Sequence, residues 1–252
     1  MSEPHEEPAA VLADPVAETR RILRAAEAAN LALRAIGGIG VALRAPSIAA
    51  LRPTRSYHDI DLVSLADRRP IERLLEDLGY EGARRFNTLN GSERLLFHDP
   101  DGRRIDVFVD TLRMCHDLPF ASRLTVDRWT LPLADLILTK LQIVELTERD
   151  MLDLCALFAD HDLDQTGDDG ISVQRLVEVC AADWGWWRTV DGNLAHLVER
   201  WAGIPDDLHT RAADRATSIR RILGSAPKSM RWKVRALIGP RIAWAQAPED
   251  IR

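Results

Sequence analysis
Cysteine is scarce in this chain: among 252 residues there are three, Cys115, Cys155 and Cys180. An odd number in three separate apolar contexts builds no disulfide frame, and no Cys/His spacing suits zinc. The thiols therefore read as buried and reduced, as in a cytoplasm. Long apolar runs are missing as well. No stretch reaches the ~18 residues that a membrane span needs, and the N-terminus lacks the basic-then-apolar order of a signal sequence. Positive charge is in the minority. A net charge of -6 argues against an obligate nucleic-acid coat protein, while a local basic patch stays open. A third turn glycine is also absent: Leu43 stands where a dinucleotide-binding turn after Gly38 and Gly40 needs one, and no acidic residue closes a following strand. What is present, 46% hydrophobic and 29% charged residues, suits one large soluble domain or two small ones.

Taken in order, Met1 to about Pro15 is acidic and rich in proline and alanine, and is expected to be a flexible tail. Glu18 to Arg34 places Ile22, Leu23, Ala26, Ala29 and Leu33 at helical spacing. Gly37-Gly38 then makes a turn that lets backbone approach a ligand, with a helix expected from Val41. Ile71, Leu74, Leu75 and Leu78 predict a helix with Pro70 in its first turn and Gly79 as its stop. Tyr80–Phe86 and Arg94–His98 read as strands. Asp99-Pro100-Asp101-Gly102 is a turn leading into a further strand, Arg104 to Asp110. From Leu131 onward the pattern is helical, with Leu133, Leu136, Ile137, Leu141 and Val144 in one stripe. Trp184, Trp186 and Trp187 read as core packing. Arg211 to Arg241 carries many arginines, as a solvated helix face or as a contact for RNA or an acidic partner.

The acids carry the chemistry. In Asp59-Ile60-Asp61-Leu62-Val63 a period of two puts both carboxylates on one strand face and the apolar side chains on the other. The same alternation in Arg104 to Asp110 sets Asp106, Phe108 and Asp110 opposite Ile105, Val107 and Val109. Aspartates among β-branched residues are costly unless they find a partner or a metal, and adjacent carboxylates suit a hard cation such as magnesium. A wet acidic strand face is the alternative. Arg52 and Arg55 precede the first pair, with forks suited to phosphate or to solvent. His58 adjoins the carboxylates but reads first as structural. Lys140 falls on or beside an apolar stripe and needs an anionic partner, or snorkels to water. Asp162-x-Asp164-x-Thr166-Gly167 imitates the start of a calcium loop, but Val173 occupies the position that needs a glutamate.

Together Gly37-Gly38, Asp59, Asp61 and Asp106 resemble nucleotidyltransferases with the fold of DNA polymerase beta. The arginine ahead of Asp-Ile-Asp looks like the AbiEii-type toxins and the aminoglycoside and lincosamide enzymes. Pro132, Asp135, Leu136, Lys140 and Leu141, followed by Arg149-Asp150 and Asp153, are similar to an AbiEii pattern. The resemblance covers about Ala35 to Phe158. It departs at Gly38, where many members have a serine, and in the long spacer of residues 39 to 58.

The resemblance implies an α/β (α+β) fold: a small mixed, mostly antiparallel sheet with helices over 16–130, then a helical bundle over 131–252. It implies transfer of a nucleoside monophosphate from an NTP to an acceptor hydroxyl on tRNA, protein or a small molecule such as an antibiotic. Asp59, Asp61 and Asp106 would be the catalytic residues and would hold two Mg2+ ions, while Gly37, Gly38, Arg55 and Lys140 would bind the nucleotide. Asp150 and Asp153 would be structural partners of Lys140 or an arginine. A toxin paired with an antitoxin and a non-catalytic nucleotide binder are the other expectations.

Overall fold
The computed structural model describes residues 10–51, 57–167, 170–199 and 203–247. Arg52, Arg55 and the first nine residues lie outside them. Of the expected tail, the described part is fastened: Leu12 N–H donates to Glu18, and Leu12 C=O accepts from Arg103.

Asp14 starts the first helix, α1 (Pro15–Ala28), by accepting from Ala17 N–H, with proline at the first helical position. The helix ends earlier than its apolar spacing predicts. Asn30 takes φ +54°, a conformation asparagine tolerates better than most residues, and Leu33–Ala35 continues as strand β1. Helix α2 (Gly37–Arg44) starts at the glycine turn itself rather than at Val41. Then come α3 (Ile48–Leu51), β2 (Asp59–Ser64), α4 (Arg68–Asp77), β3 (Glu81–Gly82), α5 (Arg84–Asn90), β4 (Arg94–His98) and β5 (Arg104–Val109). The strand predicted over 80–86 is thus confined to Glu81–Gly82, and from Arg84 the chain is helix. Asn87 side-chain bonds to both the N–H and C=O of Leu96 pin α5 to β4, a tertiary contact that local propensity does not report.

Five strands form one sheet in the order β1-β2-β5-β4-β3. β2 and β5 run parallel at its centre, and the other neighbours are antiparallel. Its two faces differ. Ile60, Leu62, Ile105, Val107, Leu95 and Phe97 pack against Ile22 and Leu23 of α1 and Ile71 and Leu75 of α4, all fully buried. Each such side chain stabilises the fold by roughly 1.5–3 kcal/mol. The opposite face carries Asp59, Asp61, Arg104, Asp106 and Arg94, and it is this face that the rest of the chain walls in.

That wall consists of a short hairpin, β6 (Thr111–Arg113) with β7 (Asp117–Pro119), followed by α6 (Leu133–Leu141) and α7 (Glu148–Asp160). The remainder is a two-stranded β8 (Leu163–Asp164) and β9 (Ile171–Ser172), then α8 (Val173–Ala182), α9 (Trp184–Val198), α10 (Asp206–Ser225) and α11 (Met230–Ile238). Fold class matches the expected mixed sheet with a helical second half. One apolar core joins Val41 and Val63 of the sheet half to Leu136, Leu157, Leu194 and Ile219 of the helices. Gly40 lets α2 and α6 meet, since a Cβ there would stand 3.0 Å from Ala35 O and 3.1 Å from Leu136 Cδ1. Val144 is not part of the α6 stripe: the helix stops at Leu141 and Val144 is exposed. Asp135 is fully buried, where Arg123 (2.7 Å) and Arg175 (2.8 Å) tie α6 to its neighbours. Among the described residues, no helix is long and apolar enough to cross a membrane.

Candidate active site
Register decides the site. In the parallel pair β2/β5, Asp61 is matched with Asp106 and Asp59 with Arg104. Neighbouring strands lie ~4.8 Å apart, so two carboxylates stand side by side on the polar face. Above them opens a cleft of about 360 Å³ lined by Ile36, Gly37, Asp61, Asp106, Lys140 and Asp150, with Arg94, Arg104 and Phe108 on its sheet side.

Gly37 is the tightest element. Its φ of +61° is the left-handed region, and a Cβ there would collide with Asp61 Oδ2. Glycine is the residue that satisfies both demands. Ile36 N–H donates to Asp61 C=O at 2.9 Å, which locks the turn to β2. Ile36 caps α2 without a side-chain acceptor, and Gly37 at the start of the helix lines the cleft. Such an end attracts anions.

Among the described residues, none makes a hydrogen bond or ion pair with the Asp61 carboxylate. Burial, the neighbouring Asp106 charge and then Asp59 push its carboxyl up to about 6, against a smaller pull from Lys140. Asp106 is the opposite case. It is 1% exposed and held by Arg94 from β4 and by Arg104 from its own strand. Lys140 reaches from the end of α6 to Asp150 (2.8 Å) and Asp153 (3.1 Å). Burial works against the ammonium, yet Asp153 and Asp150 outweigh it and its pKa lies above the ordinary value. Asp150 also closes the capping box of α7 with Thr147, so the lysine's partners are set by the helix start.

The structure therefore brings Gly37, Asp61, Asp106 and Lys140 to one cleft. Asp59 stands at the start of β2 with its side chain 44% exposed, 3.6 Å from Arg104 and outside the cleft lining. Gly38 sits one step along α2 and does not line the cleft. Asp110 leaves the strand face because it takes φ +63° at the bend into β6. Arg94 and Arg104 are site residues that the sequence reading passed over. The signal was the turn at Asp99–Gly102, which fixes the β4/β5 register and sets Arg94 opposite Phe108, beside Asp106.

Magnesium can be tested against this donor set. Among the lining residues Asp61, Glu93, Asp106 and Asp150 are matched in number by Arg94, Arg104, Arg113 and Lys140, but the Asp61 carboxylate is unengaged and faces the cleft beside a second carboxylate, Asp106. Those features fit a hard cation held by Asp61 and Asp106. Among the described residues, no three acidic, histidine or cysteine side chains converge into a complete metal site. The expected three-carboxylate cluster is thus two carboxylates in the cleft, with the third at its rim.

No protein-family model matches this sequence, and no curated protein does. Among solved structures, a presumed nucleotidyltransferase from H. pylori is 12% identical, with a TM-score of 0.38 over 86% of this chain and 100% of that one. JHP933 from Helicobacter pylori is 13% identical, with a TM-score of 0.36 over 90% of this chain and 99% of that one. Similarity at that level is weaker than a shared fold requires, so the cleft is read from its own residues.

Proposed function
We propose that the cleft transfers a nucleoside monophosphate from an NTP to an acceptor hydroxyl. One observation carries this reading: Gly37, at a helix start with positive φ, is pressed against Asp61, which is itself in register with Asp106. A phosphate-seeking helix end and a carboxylate pair face the same space, with Lys140 across it.

In the reaction, the acceptor oxygen bonds to the α-phosphorus, the bond to the bridging oxygen of the β-phosphate breaks, and pyrophosphate leaves. Backbone N–H groups at Gly37 and Gly38 bind phosphate oxygens, and Lys140 adds positive charge. A carboxylate of the pair, Asp61 or Asp106, accepts the hydroxyl proton. In the free chain the Asp106 carboxylate is engaged by Arg94 and Arg104. Magnesium, held by Asp61 and Asp106, would supply neutralisation of the triphosphate. Asp59 would add to the field from the rim. The acceptor is tRNA, a protein or a small molecule such as an aminoglycoside. The resemblance to AbiEii-type toxins makes a toxin partnered by an antitoxin, acting in the cytoplasm, the alternative setting for this activity.

The test is label transfer from each α-phosphate-labelled NTP with magnesium, offered total tRNA, aminoglycosides, lincosamides and the protein itself. Label should appear on one acceptor and vanish with Asp61→Ala. Equal labelling by that variant would sink the assignment. The pairing of Asp106 with two arginines favours a second reading, a non-catalytic nucleotide binder. Nucleotide binding without transfer to any acceptor would select it.

A further inference from the structure
Asp106 is the most heavily engaged carboxylate of the cleft. Arg94 directs Nε (2.7 Å) and Nη2 (2.6 Å) at its Oδ1. Arg104, two residues earlier on the same strand face, puts Nε 2.9 Å from Oδ2. That second contact lacks the alignment of a hydrogen bond, so Oδ2 and the Arg104 Nε both retain unused bonding capacity while buried. Both guanidinium groups border the cleft. Their side chains are 21% and 36% exposed, against 1% for Asp106. Phe108 lies 4.9 Å beneath the Arg94 guanidinium and keeps it at the cleft wall.

A guanidinium fork accepts carboxylate and phosphate oxygens with the same geometry. A carboxylate already neutralised by two arginines is a poor ligand for a cation. Arginines already holding a carboxylate are poor ligands for phosphate. What would exchange the partners is an anion with more charge and more oxygens than a carboxylate.

We propose that Arg94 and Arg104 are exchange ligands, bound to Asp106 in the free chain and passed to the triphosphate when nucleotide enters, so that Asp106 is released to the cation. This rests on the nucleotide reading of the cleft and adds to it two phosphate-binding residues and a coupling. A divalent cation alone meets an Asp106 that is occupied, and a triphosphate alone meets arginines that are occupied. Each removes the obstacle to the other. Linkage makes the effect reciprocal, and coupling of this kind is typically about 10- to 100-fold.

The experiment is titration calorimetry on the full chain with Mn2+ and non-hydrolysable analogues of the four NTPs, alone and together. Asp106→Asn removes the charge that holds both arginines, so in EDTA it should bind the analogue roughly tenfold tighter than wild type, as expected for a typical coupling. Arg104→Gln should bind Mn2+ alone more tightly than wild type. If circular dichroism shows that variant unfolded, Arg104→Lys, which keeps charge but loses the fork, carries the same comparison. Wild type binding the analogue with Mn2+, while Asp106→Asn gains nothing in EDTA or the Arg104 variant gains nothing for Mn2+, overturns the exchange and leaves the nucleotide reading standing. Wild type binding neither analogue nor Mn2+, alone or together, overturns both.

Discussion
Replacing Asp61 by asparagine should destroy transfer and at the same time stabilise the protein. The carboxyl titrates at about 6 in the fold, chiefly through burial and the nearby Asp106, against an ordinary 3.8. Between those values the folded chain binds more protons than the unfolded one, so stability falls as pH rises through the window and is level above it. The full shift corresponds to ~3 kcal/mol at 1.36 kcal/mol per unit. Because Asp61 borders the water of the cleft, screening leaves about 1–3 kcal/mol of destabilisation at pH 8. Asparagine is close to isosteric and never ionises. Its advantage over wild type should therefore be near zero at pH 4 and complete by pH 7–8. Urea unfolding of both proteins across that range, in metal-free buffer, measures it. An asparagine variant less stable than wild type at pH 8, or an advantage that does not shrink toward pH 4, would refute the account of Asp61 as a strained carboxylate.

Further outcomes are expected elsewhere. Gly37→Ala combines about 1–2 kcal/mol for a left-handed non-glycine residue with a clash against Asp61, so a lower urea midpoint and lost nucleotide binding should appear together. Lys140→Met leaves Asp150 and the buried Asp153 without their cation and should cost about 3–5 kcal/mol in chemical denaturation. For Asp150 burial opposes the charge, but Lys140 and Thr147 outweigh it and hold the pKa below the ordinary value. That stabilisation is present above about pH 4 and lost below it, so Lys140→Met should lose stability less steeply than wild type on acidification. Asp135→Ala strands Arg123 and Arg175 around a buried hole and should lower the melting temperature without changing nucleotide affinity.

Much of the sheet was legible because its signals are local. The alternation in Asp59–Val63 and Arg104–Val109 places the acids on one face, and the Asp99–Gly102 turn joins β4 to β5. What stayed hidden was which strand lies beside which. Asp61 and Asp106 were expected in one site, but they meet through parallel pairing across a long crossover, which packing of the whole sheet decides. Arg94 and Arg104 were passed over for the same reason, since a strand arginine looks like solvent decoration until its neighbour across the ladder is known. Helix ends were misread where one residue overrides a pattern, as Asn30 does for α1. Lys140 was easier: a lysine among buried leucines needs anions, and Asp150 and Asp153 follow one helix later.

The β4/β5 hairpin bears on how this chain folds. Arg94 and Asp106 belong to one antiparallel hairpin closed by a four-residue turn, a contact of low sequence separation that forms early. The parallel docking of β5 on β2 must wait for the crossover through α4 and α5 to close. Asp106 is thus expected to enter the interior already paired with Arg94. Asp61 acquires its unfavourable neighbour in the later step, so the strain of the site is loaded only when the sheet is completed. Variants that lose Arg94 should therefore refold more slowly than their loss of stability alone would require.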